Sequence, residues 1–285
     1  MSMASSDTAG ETAPTADPAA KPAGPYAEHI ELVKTIVYAL LIALVLRIVL
    51  FQPYTIPSAS MEPTLREGDY IIVSKYTYGW SKNSIPFEPP LFKGRIFAHE
   101  PKRGDIIVFK LPAPGPHPDF IKRLIGVPGD TVQVKHGVVF VNGKATSEAQ
   151  LPPVVSDTAF EAPRELNRFQ QDLGYKKFTT YSLNRDSEVE NTGAFTVPAG
   201  CYFMMGDNRD NSLDSRFSSG ASSCQAANIQ PFLNADQAGV GFVPAENLVG
   251  KAEVIMFSWK RGASLFKPWT WVLNLDFGRF FHPLT

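Results

Sequence analysis

Hydrophobic and polar positions divide the chain into stretches of different character. Residues 1 to about 26 are rich in Ala, Thr, Pro and Ser and hold almost no large apolar side chain. Such a segment cannot bury enough surface to offset its ordering entropy, so residues 1–29 are expected to form a disordered tail. From Thr35 to Phe51 the pattern becomes almost wholly apolar, broken only by Arg47. That run of about 17 residues reaches the lower limit for a helix crossing the ~30 Å hydrocarbon layer. It predicts a transmembrane helix over 30–52, with Arg47 close enough to one end to snorkel toward the headgroups. A cleavable leader and a buried soluble helix are the competing readings. Against the leader, the run starts late, and the first small-x-small triplet after it is Ser58-Ala59-Ser60, part of a motif discussed below.

Beyond the span the period changes to that of strands. Asp69–Val73 and Asp105–Phe109 are short apolar runs, each opened by a Gly-Asp pair. Thr131–Lys135 alternates with period two, His136-Gly137 turns into Val138–Val141, and Asn142-Gly143 marks a tight hairpin. Cys201–Met205 and Ala252–Phe257 complete the set. Many short strands with Gly and Pro turns predict a mostly β, antiparallel, barrel-like fold. The expected organisation is a core in two parts, 53–128 and 201–285, interrupted by an inserted β lobe over 129–200. Within that lobe, 145–195 reads as polar and irregular, without identifiable chemistry. The final stretch gathers Trp259, Phe266, Trp269, Trp271, Phe277, Phe280 and Phe281 among basic neighbours. It suits a membrane interface or a terminal core plug.

Composition narrows the function classes. With 285 residues the chain can bury a sizeable core. Lys+Arg of 27 against Asp+Glu of 28 leaves a formal charge of -1, with no basic field for nucleic acid. The prolines between Pro86 and Pro118 exclude long helices there. Cys201 and Cys224 permit at most one internal disulfide, and the count alone leaves their state open. His29, His99, His117, His136 and His282 are scattered, and no Cys-x-x-Cys or His-Glu-x-x-His spacing occurs. Neither a metal nor another cofactor is expected.

Three islands carry the candidate chemistry. They are Ser58-Ala59-Ser60-Met61-Glu62-Pro63-Thr64-Leu65, Phe120-Ile121-Lys122-Arg123, and Gly206 through Arg216. Ser60 needs a base before its hydroxyl can attack a carbonyl, and no Gly-x-Ser-x-Gly elbow or histidine island offers one. Lys122 can serve only as the neutral amine, and an apolar setting disfavours the ammonium. Strand alternation puts Lys122 on the face of Phe120 and Leu124, with Arg123 pointing the other way. Taken singly, Ser60 is an ordinary turn serine, Lys122 a surface lysine, and the third island a loop of Asp and Asn bonding to backbone.

Together and in this order, the islands resemble the type I signal peptidases, membrane-bound serine proteases with a lysine base. The resemblance runs from about Phe51 to Lys260. It implies Ser60 as nucleophile, Lys122 as general base, and Ser58 as an oxyanion donor beside the Ser60 amide. It further implies Ser212 as the hydroxyl that orients the lysine amine, and Asp214 with Arg216 as a supporting ion pair. Tyr54, Ile56, Pro57, Met61, Leu65, Ile71, Val108 and Ile121 match positions around two shallow pockets for small residues one and three before the cut. Two features depart from the family pattern: one membrane span where better-known members have two, and a long segment, Phe217–Phe242, that carries Cys224.

The expected function is cleavage of N-terminal signal peptides from exported preproteins after small-x-small sites. Expected partners are preprotein signal peptides, the lipid bilayer and the export translocon, with no nucleic acid. The expected site is the cytoplasmic membrane, single-pass, with the N-terminus inside and the catalytic bulk outside. Alternatives are a Ser-Lys peptidase dedicated to one secretion or conjugation substrate, a LexA-like self-cleaving protein, and an inactive membrane-anchored β scaffold.

Overall fold

The computed structural model describes residues 26–85, 88, 93–112, 118–155, 163–174, 176–217, 224, 239–260 and 269–284. The expected tail and Phe266 lie largely or wholly outside these residues. Helix α1 spans Ala27–Val49, and its Glu28–Val49 stretch is apolar, with a mean hydropathy of 2.4, and is not buried. At 1.5 Å per residue it is about 33 Å long, enough to cross a bilayer. By contact its Ala27–Leu44 part belongs to one unit, and its last turn, from Val45, to the unit Val45–Thr285.

Within the second unit, the strands are β1 (Phe51–Thr55), β2 (Asp69–Ser74), β3 (Ile106–Lys110), β4 (Asp119–Gly126), β5 (Thr131–Lys135), β6 (Val138–Val141), β7 (Ser147–Val155), β8 (Glu165–Asp172), β9 (Lys177–Ser182), β10 (Cys201–Met205) and β11 (Leu248–Ser258). The main sheet is antiparallel and curled, ordered β1-β2-β11-β3-β4-β10, with the pair Val243–Pro244 beyond β10. One buried cluster gathers Ile71, Val73, Val108 and Ile255 from the strands and Ile56 and Leu65 from the connection between β1 and β2. Leu284, at the end of His282–Pro283, which pairs with β11, plugs this same cluster. Trp269, Phe277 and Phe281 instead stay exposed. The plug is thus Leu284 rather than one of the aromatic residues, and these three stay on the surface.

The stretch read as irregular over 145–195 holds a regular antiparallel sheet, β7-β8-β9. Its concealment in the sequence has a physical cause. In β7 no residue is fully buried, so Ser-Glu-Ala-Gln-Leu-Pro-Pro-Val-Val shows no period-two apolar stripe. Cys201 and Cys224 form a disulfide, with Cα atoms 6.1 Å apart.

Candidate active site

The Ser60 turn forms where the chain passes from β1 to β2. Ala59–Met61 is one turn of 3-10 helix, with Ser58 extended before it and Ala59 and Met61 buried as its apolar feet. The Ser60 amide is among the N–H groups that such a turn leaves without an internal partner. From β4, Lys122 reaches the turn: its Nζ lies 2.7 Å from Ser60 Oγ and donates to the Ile121 carbonyl at 3.0 Å. Lys122 is only 4% exposed, and the Phe120 ring centroid lies 5.9 Å from its Nζ. Burial therefore lowers its pKa from 10.5 to about 8; Asp214 and Asp207 oppose that shift, and Arg216 adds to it. Ser58 Oγ lies 3.4 Å from Ser60 Oγ, on the solvent side of the turn.

Arg123, one residue on, leaves the opposite face of β4. Its guanidinium holds Asp207 through two bonds of 2.8 and 2.7 Å, donates to the Gly104 carbonyl and stacks on Phe178, 3.9 Å from the ring centroid. Asp207 also accepts from Thr64 Oγ1 at 2.5 Å. Neighbouring Asn208 donates from its backbone to the Ser60 carbonyl and from its side chain to the Ala59 carbonyl, each at 3.2 Å. The three sequence islands are thereby bonded directly to one another. Gly206 permits the approach: a Cβ there would stand 2.2 Å from Ser212 Oγ and 2.5 Å from the Ser60 carbonyl oxygen.

The third island is not a solvated loop. Asp207, Asn208, Arg209, Ser212, Asp214, Ser215 and Arg216 are all buried. Arg216 grips both oxygens of Asp214 at 2.9 Å, and Asp214 accepts the Gly206 amide at 2.9 Å. Those bonds hold the Asp214 carboxyl below its usual pKa against the cost of burial. The β7-β8-β9 lobe, although without a reactive group, props this network. It lends Phe178 to Arg123 and Gln171 to Arg209, and the 188–190 turn after it offers the Val189 carbonyl to Arg216. Glu190 is buried nearby, and its pKa is raised by desolvation while Arg209 and Arg216 pull it down. Arg123, Arg209, Glu190 and Gln171 carry no role in the sequence reading, since only contacts distant in sequence reveal them.

Ser212 lines the cleft with Ser60 and Lys122, but its buried Oγ takes no hydrogen-bond partner here. The bond to the lysine amine expected from the resemblance is not formed in this structure. Lys122 instead points its amine at Ser60 and the Ile121 carbonyl. Of the eight predicted pocket residues, Pro57 and Ile121 line the cleft itself, which encloses about 700 Å³. Ile56, Met61, Leu65, Ile71 and Val108 lie in one buried apolar cluster, with Tyr54 and Ile121 packed against it. Tyr54 donates to Asp119 at 2.8 Å. Among the described residues, no group of three His, Cys, Asp or Glu side chains is placed to hold a metal.

A serine hydroxyl 2.7 Å from a buried lysine amine, in a β unit that follows one apolar helix in the chain, is the arrangement that a serine hydrolase with a lysine base requires. The family model described as "Signal peptidase, peptidase S26" matches residues 29–259, and the chain belongs to that family. Signal peptidase I of Rickettsia typhi is 38% identical over 228 residues, covering 78% of each chain. That of Rickettsia canadensis is 38% identical over 236 residues, covering 80% of this chain and 79% of its own. A crystal structure of a signal peptidase I from Enterococcus faecalis V583 matches at 26% identity, covering 54% of this chain and 97% of its own. Its TM-score is 0.28, so the assignment rests on the family model and the sequence relatives.

Proposed function

We propose that this chain removes N-terminal signal peptides from exported preproteins by attack of Ser60 on the scissile carbonyl, with Lys122 as general base. Family membership makes it a signal-peptide-cleaving serine endopeptidase. The observation that carries the residue assignment is the 2.7 Å contact between Lys122 Nζ and Ser60 Oγ at a buried amine. In the neutral form the amine lone pair accepts the Ser60 proton as the Oγ–C bond forms. The resulting ammonium then protonates the leaving amine, and an acyl-enzyme remains for water to attack, with the same amine as base. The Ser60 amide and Ser58 hydroxyl are the donors for the oxyanion, a role worth about 3–4 kcal/mol per donor. Ser212 is the hydroxyl left to orient the amine, since its Oγ is uncommitted and the residue lines the cleft with Lys122.

Substrate choice follows from the apolar cluster under the cleft. Ile121 lines the cleft and packs against the buried cluster of Ile56, Leu65, Ile71 and Val108, which supports a preference for alanine-sized residues one and three before the cut. The chain sits in the cytoplasmic membrane with its N-terminus inside, near the export translocon, where preproteins emerge. Exposed Trp269, Phe277 and Phe281 support contact with the bilayer surface.

The test is incubation of the detergent-solubilised protein with a preprotein, followed by sequencing of the new N-terminus. Wild type is expected to cut after a small-x-small site. Ser60→Ala, Lys122→Ala and Lys122→Arg should each lower kcat by at least ~1,000-fold, because a guanidinium stays charged at working pH. Wild-type turnover in Lys122→Arg would remove lysine as the base.

A further inference from the structure

The C-terminal stretch folds back onto the connection that carries the nucleophile. Its residues 274–276 lie along the end of β11: the Lys260 amide donates to the Asn274 carbonyl at 2.7 Å, and the Asp276 amide to the Ser258 carbonyl at 2.9 Å. The 3-10 turn Phe277–Arg279 follows. Beyond it the Phe281 amide donates to the Met256 carbonyl at 3.4 Å, and His282–Pro283 pairs with β11. The turn is thus tied down at both ends. Phe277 and Phe281 stay exposed, whereas the Arg279 side chain is only 14% exposed.

Arg279 makes three bonds. Its Nε donates to Asp69 Oδ1 at 2.9 Å and its Nη2 to Asp69 Oδ2 at 2.5 Å. Asp69 opens β2 and is fully buried. Taken alone, this is a buried ion pair that seats the terminus. The third bond goes further, since Nη2 also donates to the Thr64 carbonyl at 2.9 Å, on the connection that leaves the Ser60 turn. Thr64 is gripped by its side chain too. Its hydroxyl donates to Asp207 at 2.5 Å and accepts from Arg123 Nη2 at 3.3 Å. The next amide, that of Leu65, donates to the Met61 carbonyl at 2.9 Å and closes the connection back onto the turn. Arg279 does not line the cleft, so any influence on the reaction passes through these bonds.

We propose that Arg279 is a positioning residue for the nucleophile. Through the Thr64 carbonyl it fixes the connection on which Ser60 stands, so that the Ser60 hydroxyl meets the Lys122 amine. The inference rests on the reading of Ser60 as nucleophile. It assigns a purpose to the C-terminal turn, whose arginine lies 215 positions from the carbonyl it holds.

The experiment uses the full chain in detergent and a peptide with alanine one and three before the cut. Cleavage is followed in single turnover, with enzyme in saturating excess. That rate constant does not depend on the fraction of enzyme that is folded, so a merely structural role leaves it unmoved. Arg279→Lys keeps a cation beside the buried Asp69 but lacks the fork that also reaches Thr64. It should lower the single-turnover rate about tenfold, the scale set by a small misplacement of a reacting group. KM, measured separately in steady state, should stay that of wild type. Thr64→Val, which removes the hydroxyl bond to Asp207, should lower the rate as well. Because both changes loosen one segment, the loss in the double variant should fall short of the product of the single losses. A wild-type rate in Arg279→Lys overturns the proposal. Losses that multiply overturn the route through Thr64. Cleavage by Ser60→Ala at the wild-type rate overturns the parent reading, and this inference with it.

Discussion

At the scale of single residues, Lys122 is held where its charged form is costly. Burial brings its pKa from 10.5 to about 8, so the amine proposed as base for Ser60 is substantially neutral only above that pH. The kcat/KM profile should therefore climb through an acidic limb near pH 8 and level off above it. A profile still rising at about pH 10, the ordinary lysine range, would mean an exposed amine. The same shift has a stability consequence of definite sign. The unfolded chain keeps its proton up to 10.5 and the folded one only to about 8. Lys122 thus costs nothing above the unfolded value, progressively more as pH falls between the two, and its full amount below about 8. Lys122→Met should abolish cleavage yet stabilise the fold by roughly 3 kcal/mol at pH 7. Chemical denaturation at pH 7 and pH 11 should show that gain at the lower pH and its near disappearance at the higher.

At the scale of elements, the Gly206–Arg216 loop is bonded to strand β4 through the buried Arg123–Asp207 pair and tied within itself by Asp214 and Arg216. Asp214 is 0% and Arg216 2% exposed, so removing one partner strands the other in a low dielectric. Asp214→Ala should cost about 3–5 kcal/mol and take activity with it, because the Gly206 amide loses its acceptor beside Ser60. Asp186→Ala serves as the comparison. Its ion pair with His136 is 81% and 78% exposed, and the change should stay within about 0.5 kcal/mol. Thermal unfolding of the two variants side by side checks both; equal midpoints would mean that the buried pair is not structural. The turn chemistry of this loop was visible in its Asp, Asn and Ser content. Its burial was not, since polar residues carry no mark of being covered by Gln171, Phe178 and Val189 from another element.

At the scale of the whole molecule, one apolar helix precedes a single β unit. With the N-terminus inside, protease added to intact spheroplasts should digest the unit after Val49 and spare an epitope placed before Ala27. Digestion of the N-terminal epitope alone would reverse the assigned orientation. Retention in the membrane after alkaline carbonate extraction should accompany the first result, since a helix of this length and hydropathy inserts rather than adheres.

The amino-acid sequence by itself determined the membrane helix, the strands β2, β3, β5, β6, β10 and the centre of β11, and the three islands. Each of these rests on local chemistry: an apolar run of bilayer length, a period of two, or a motif of contiguous residues. The sequence also marked Ser60 and Lys122, though only through resemblance, because a lone turn serine and a Lys-Arg pair are commonplace. Tertiary structure alone decided that Lys122 Nζ meets Ser60 Oγ, that Arg123 and Thr64 both bond Asp207 beside the Ser60 turn, and that Cys201 binds Cys224. It also decided that Ser212 stands without a partner and that β7-β8-β9 is a regular sheet. These facts join residues 23 to 143 positions apart, or depend on a strand, β7, in which no residue is fully buried. Neither leaves a periodic trace in the chain, since burial of a polar group is set by what folds over it.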